Sequence, residues 1–200
     1  LSWQNTDGVK FIQEISIDAN YMFSVIQRVE NNGSKPATVF PFGRISRHST
    51  PEITDFYILH EGLLGVFDGV LTEIDYSDIQ ESKLVQNKSK GGWIGITDKY
   101  WLAALIPQQD EQIEAAFRVT DAAHADIHSA TMLGEAHTIA PGRQITESQR
   151  LFAGAKRNEI LAGYEESLGL PRFVYAIDWG FLFFLTRPIF WLVELFYGWF

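Results

Sequence analysis

The sequence contains no cysteine in its 200 residues. That absence excludes disulfides, thiolate catalysis and zinc–thiolate centres. It leaves the compartment open, because cytosolic and extracytoplasmic chains alike can do without the residue. Basic side chains are also few: 16 Lys and Arg stand against 25 Asp and Glu, a formal net charge of −9. An acidic chain repels phosphate, so nucleic acid is not expected as a partner. Anionic lipid headgroups are not drawn to it by net charge either. No initiator methionine or signal peptide opens the sequence at Leu1, no repeat of fixed period runs through it, and nothing in it is low-complexity. We read it as a piece of a longer protein. Hydrophobic residues make up 46% and charged residues 20%, the balance of a folded chain with a sizeable core.

The composition changes near residue 172. Of the 15 Phe, 7 Tyr and 6 Trp, 12 fall in the last 28 residues, where only Asp178, Arg187 and Glu194 carry charge. Before that point the pattern is that of a β protein. Phe11, Ile15 and Ile17 fall at mostly two-residue spacing, and Tyr21, Phe23, Val25, Gln27 and Val29 share one face of a strand. Asn31-Asn32-Gly33-Ser34-Lys35-Pro36 supplies a turn before a strand over Thr38–Ile45. Further strands are predicted at 56–59, 93–97, 100–106, 116–120, 127–133, 136–139 and 144–152. Many short strands with turn signals between them indicate an antiparallel sandwich or barrel. Ile160, Leu161, Tyr164 and Leu168 repeat at helical spacing, with Gly169 placed to cap the helix and Pro171 to stop it.

A second helix is predicted from Asp178 to about Phe200, with Asp178 as its N-cap or as a charge favoured by the positive helix end. Gly180, Arg187 and Glu194 lie within about 40° of one another around it, and the remaining circumference is apolar. Its length of roughly 34 Å would cross a bilayer. Arg187-Pro188 at its middle argues against that, since a central charge costs about 3 kcal/mol and proline kinks the helix. Trp and Tyr suit the headgroup region. We therefore favour a helix lying in the membrane interface, with Trp179, Phe181, Phe183, Phe184, Pro188, Phe190, Trp191 and Phe196 as its lipid-contacting residues. A buried core helix, or a spanning helix that starts after Pro188, are the competing placements.

The segment Asp178-Trp179-Gly180-Phe181-Leu182-Phe183-Phe184-Leu185-Thr186-Arg187-Pro188-Ile189-Phe190 resembles the stretch that leads the YidC family of membrane protein insertases from periplasm into membrane. Three further blocks are similar to that family in the same order. They are Tyr57-Ile58-Leu59-His60-Glu61-Gly62, Ser89-Lys90-Gly91-Gly92-Trp93 with Asp98-Lys99-Tyr100-Trp101 and Ala104-Leu105-Ile106-Pro107, and Arg150-Leu151-Phe152-Ala153-Gly154-Ala155-Lys156. The resemblance implies a galactose-mutarotase-like β-supersandwich over residues 1–172 with a terminal helix. It implies an amphipathic interfacial segment over 173–200 that leads into a transmembrane helix. It further implies a location on the periplasmic side of the bacterial inner membrane. The partners it implies are nascent inner-membrane proteins, the Sec translocon with its accessory subunits, and the bilayer interface. It implies neither enzymatic activity nor any metal or other cofactor. The family's inserting groove lies among membrane helices outside this sequence, so docking, spacing and anchoring are the roles expected here.

Other candidates are weaker. His124, His128 and His137 invite a metal reading, but strand and loop spacing does not bring them to one ion. Ser46-Arg47-His48-Ser49 and His60-Glu61 hold triad residue types without a nucleophile elbow. Gly91-Gly92-Trp93-Ile94-Gly95 lacks the Lys and following helix of a phosphate loop and is expected to permit close strand approach. Trp3, Trp93, Tyr100 and Trp101 could stack on sugar rings, which makes a carbohydrate-binding or mutarotase-like sandwich the alternative function. Strand alternation, however, sends Tyr100 and Trp101 to opposite faces, so at least one is expected in the core. Arg44, Arg47 and His48, within the 21–65 region of an otherwise acidic chain, are the candidates for partner docking.

Overall fold

A computed structural model describes residues 1–51, 60–122 and 125–178, together with 188, 189, 192, 193 and 196. Up to Asp178 the elements follow in this order: β1 (Ser2–Gln4), β2 (Val9–Ile17), β3 (Met22–Asn31), β4 (Ala37–Val39), β5 (Phe42–His48), β6 (Gly62–Phe67), β7 (Val70–Asp75), α1 (Tyr76–Ser82), β8 (Leu84–Lys90), β9 (Trp93–Thr97), β10 (Trp101–Ile106), β11 (Gln112–Thr120), β12 (Ile127–Gly134), β13 (His137–Ile139), β14 (Gln144–Ala155), α2 (Asn158–Leu168) and a 3₁₀ turn at Phe173–Ala176. The described strands make an eight-stranded sheet ordered β1-β2-β3-β14-β10-β9-β6-β7, a four-stranded sheet ordered β5-β12-β11-β8, and a ribbon of β13 with β4. Every pairing is antiparallel. This is the antiparallel β-sandwich anticipated from the sequence.

Side-chain alternation gives the large sheet two apolar faces, and each needs a cover. On one face Met22, Leu64, Val66, Trp93, Leu102 and Phe152 meet Ile160 and Leu161 of α2 and Phe173 and Val174 of the 3₁₀ turn. On the other, Leu63, Ile94, Ile96 and Leu105 pack against Phe117, Ala130 and Met132 of the four-stranded sheet. The β4–β13 ribbon adds a small third cluster around Val9, Val29 and Ile139. Strands β6 and β9 are buried at every position, which is why they read as continuous apolar runs instead of alternating ones.

The helical cover is locked by aromatic geometry. Phe173 stands edge-on to Trp93 at 5.3 Å and to Phe152 at 5.7 Å between ring centroids. The indole N–H of Trp93 donates to the Pro171 carbonyl at 3.0 Å, so the one polar atom of a fully buried ring is satisfied. Gly169 adopts a left-handed conformation and caps α2, as its position after Leu168 predicts. At Gly92, with φ of +83°, a Cβ would come within 2.0 Å of the Val66 carbonyl oxygen. Glycine therefore permits the close strand approach beside Trp93.

Several sequence expectations need correction. The strand over Thr38–Ile45 is broken at Phe40-Pro41: β4 pairs with β13 and β5 with β12. Proline has no N–H for a ladder, and here it marks a change of sheet. Tyr21 precedes β3, with a positive φ of 69°. Phe23, Val25, Gln27 and Val29 do share a face of that strand. The β6–β7 hairpin was not anticipated, although Asp68-Gly69 closes it with positive φ at both residues, the type I′ signature. The strand expected at 56–59 lies outside the described residues. A boundary after Arg172 cuts through packed structure, because Phe173, Val174 and Ala176 are buried in the sandwich core. The folded unit runs at least to Ala176.

Removing the keystone ring should be costly. Phe173→Ala is expected to lower unfolding free energy by about 3–5 kcal/mol, whereas Val70→Ala on the exposed edge strand should stay within about 0.5 kcal/mol. Urea titrations of the two variants check this, and equal midpoints would contradict the keystone role.

Candidate functional site

The chain leaves the sandwich at a knot of polar groups. One oxygen of the Asp178 carboxylate accepts the backbone N–H of His60 at 2.9 Å. The ring of His60 is engaged at both nitrogens, Nδ1 with Asp75 at 3.0 Å and Nε2 with the Leu63 carbonyl at 3.2 Å. Burial pulls the Lys156 ammonium below the usual lysine range, against the attraction of Asp178, Glu61, Asp98 and Glu73. Burial raises the Glu73 carboxyl, opposed by His60 and reinforced by Asp178 and Asp75. The backbone N–H of Lys156 donates to the Tyr100 carbonyl at 2.9 Å, which joins this knot to the β9–β10 turn.

Beyond Asp178, residues 188, 189, 192, 193 and 196 are helical. Ile189, Leu192, Val193 and Phe196 are 45–58% exposed. Their i, i+3, i+4, i+7 spacing places them on one helical face. Of the expected interface residues, Pro188 and Phe196 are among these described helical positions, and both are exposed. Trp179, Phe181, Phe183, Phe184, Phe190 and Trp191 lie outside the described residues. Among the described residues no helix is long and apolar enough to cross a membrane. Ile189, Leu192 and Val193 are not among the residues expected from the sequence, where the aromatic side chains carry the stronger signal. Their spacing was the signal that could have found them.

The docking candidates do not form one positive face. On β5, at the edge of the four-stranded sheet, Arg44 and His48 are exposed at alternate positions, and Arg47 takes the opposite face. Arg47 is paired with Asp98 at 2.8 Å, from the turn that follows β9. Arg47, His48, Asp98 and Trp101 line a cavity of about 470 Å³ between the sheets, and Arg44 does not reach it. A second cavity, of about 420 Å³, lies by the opposite ends of β5 and β14, with Trp3, Phe11, Phe40 and Phe42 on its walls. The two phenylalanines flanking Pro41 are its signal in the sequence.

Tyr100 and Trp101 are both exposed, at 63% and 61%. The alternation argument fails because Tyr100 belongs to the turn and β10 starts only at Trp101. Trp93 is buried, and Trp3 stacks on Phe11 at 5.6 Å. His128 is buried beside Tyr76, its imidazole made harder to protonate by burial, and its Nε2 lies 3.0 Å from Thr50 Oγ1. His137 pairs instead with Glu147 at 3.3 Å, and His124 lies outside the described residues. Among the described residues no His, Asp and Glu group could hold a metal ion.

The family model for the YidC periplasmic domain matches residues 1–192. The chain belongs to that family. The relatives it resembles are named membrane protein insertase YidC. The protein of Bradyrhizobium diazoefficiens is 40% identical over 209 residues, covering 100% of this chain and 34% of its own length. That of Rhizobium johnstonii is 40% identical over 201 residues, covering 100% and 33%. That of Ruegeria pomeroyi is 40% identical over 210 residues, covering 97% and 34%. The chain therefore spans about a third of these YidC proteins. Among solved structures, Slr1438 from Synechocystis sp. PCC 6803 is similar at a TM-score of 0.47 and 10% identity, covering 77% of this chain and 60% of its own. A putative aldose 1-epimerase from Klebsiella pneumoniae gives 0.43 and 10%, covering 84% and 53%.

One carboxyl of this YidC periplasmic domain is set against its neighbours. Burial raises Glu111 to about 7, helped by repulsion from Glu147, a hydrogen bond to it, and the charges of Asp110 and Glu135. The folded value exceeds the unfolded one, so this group's stabilising contribution is complete below about pH 4 and is lost as pH rises through about 7. Glu111→Gln should raise the melting temperature at pH 8 by about 2–4 °C, equivalent to about 1 kcal/mol after solvent screening. At pH 5 the variant and the parent should melt together. Calorimetry at the two pH values reads the difference, and an unchanged melt at pH 8 would refute it.

Proposed function

We propose that this chain is the periplasmic part of a membrane protein insertase of the bacterial inner membrane, and that it spaces, docks and anchors. Its clients in this reading are nascent inner-membrane proteins, and its partners are the Sec translocon and accessory subunits. The reading is supported by the names of relatives that are about three times as long as the chain. The inserting chemistry belongs to the remainder of such a protein. A rigid sandwich between membrane elements sets the distance from bilayer to partner. The β5 edge with Arg44 and His48, and the apolar cavity beside Phe40 and Phe42, are its docking surfaces.

The observation that carries the anchoring role is the face of Ile189, Leu192, Val193 and Phe196. Four large apolar side chains on one helix face stay half in water unless something apolar receives them. Each contributes about 1.5–3 kcal/mol when fully buried. A helix parallel to the bilayer surface buries such a face in the boundary between headgroups and acyl chains.

Flotation on phosphatidylethanolamine–phosphatidylglycerol vesicles tests the anchor. The 200-residue chain should float, while a chain ending at Asp178, which keeps the whole described core, should stay in solution. Ile189→Ser, Leu192→Ser and Phe196→Ser combined should weaken binding about 100-fold. Equal flotation of the long and short chains would remove the anchor.

A further inference from the structure

The turn between β9 and β10 is built unlike a solvated turn. Its tip carries Lys99, Tyr100 and Trp101, and both rings are more than 60% exposed. Exposed aromatics of this size usually mark a surface that meets something. The tip is also held stiffly. The Asp98 N–H donates to the Trp101 carbonyl at 2.9 Å, and Thr97 Oγ1 donates to the carbonyls of Asp98 and Trp101 at 3.1 and 3.2 Å. The Lys156 N–H holds the Tyr100 carbonyl from the side of α2, and the Lys99 ammonium lies 5.2 Å from the Tyr100 ring centre. Two rings presented on a braced backbone lose little freedom on docking.

The place of this tip decides what it can meet. Lys156, whose N–H bonds Tyr100, is also the cation that Asp178 attracts, and Asp178 is the last described residue before the helical residues 188–196 named above. His60, which holds Asp178, is two residues from Gly62, and Gly62 pairs with Thr97 immediately before the turn. The turn and Asp178 therefore lie at one end of the sandwich. Tyr21 adds a further exposed ring there, its side chain lying over Gly154 in the strand beside β10. Trp101 pairs with Ala155 at the last residue of β14, whereas the loop with Arg143 precedes the first. Twelve strand residues put the two ends roughly 35–40 Å apart.

From this geometry we infer that Lys99, Tyr100 and Trp101 form a second lipid contact, seated in the headgroup layer beside the interfacial helix. The inference rests on the anchoring role of that helix. Trp and Tyr favour the headgroup level, where the ring is sheltered and the polar edge stays wet. Lys99 supplies the cation for a lipid phosphate on an otherwise acidic chain. With two attachments at one end, the sandwich is held at a fixed tilt, where a single attachment would let it swing.

The lack of cysteine makes the test direct. Tyr100→Cys and Arg143→Cys in the 200-residue chain each create one labelling site for an environment-sensitive nitrobenzoxadiazole fluorophore. On adding phosphatidylethanolamine–phosphatidylglycerol vesicles, emission from position 100 should shift to the blue and gain intensity, and emission from position 143 should not move. In the unlabelled chain, Tyr100→Ser with Trp101→Ser should weaken vesicle binding about tenfold without abolishing it, with an unchanged circular dichroism spectrum. Vesicle binding with identical, unshifted emission at both positions overturns the tip contact and leaves the helix anchor standing. No vesicle binding by either labelled chain overturns both.

Discussion

The indole of Trp93 organises this domain. It is wholly buried on the face of the large sheet that α2 and the 3₁₀ turn cover. There it needs both a hydrogen-bond acceptor and aromatic neighbours, and the C-terminal end of the sandwich supplies both, through the Pro171 carbonyl and the edge of Phe173. Meeting those needs pins the stretch after α2 to the sheet. Once the stretch is pinned, Asp178 has one place to emerge, beside His60 and Lys156. The position of Asp178 is thus tied to packing at a ring 85 residues earlier in the chain.

That arrangement separates two kinds of surface. One end of the sandwich carries the helix exit and the aromatic turn, and it deals with lipid in the reading proposed above. The cavity near Phe40 and Phe42 lies by the first residues of β14, at the other end of that strand, whereas His48 shares a cavity with Trp101. Arg47 belongs to neither, because Asp98 neutralises it inside the cleft between the sheets. A body with separate lipid and partner faces can hold both at once, which a spacer requires.

Much of the fold was legible where local signals and burial agree. Trp93–Thr97 was found at its observed limits, and the helix stop at Gly169 follows from glycine chemistry alone. The reading failed where one local rule was overridden. Pro41 splits what alternation presents as one strand. Phe67-Asp68-Gly69-Val70 carries a strong hairpin signal that was not weighed against its apolar surroundings. Of the candidate site, the apolar character of the C-terminal helix could be read from periodicity. The fate of Arg47 could not, since its partner lies 51 positions away and only the packing of β5 over β10 brings them together. The same limit applies to Arg172: a change in composition marks it, yet Phe173 sits on the folded side of that line.

The pairing of β3 with β14 joins residues 22–30 to residues 144–152. A sheet whose central seam spans most of the chain cannot close early. Long loops must be brought together before any contact rewards them, and such topologies fold slowly. A chain that emerges in order, from its first residue to its last, therefore holds β2 and β3 as an open hairpin until β14 arrives. During that interval the backbone edge of β3 is a free template for any extended strand nearby. The long seam makes final assembly nearly simultaneous with the appearance of the residues that follow it, so the body and its exit mature together.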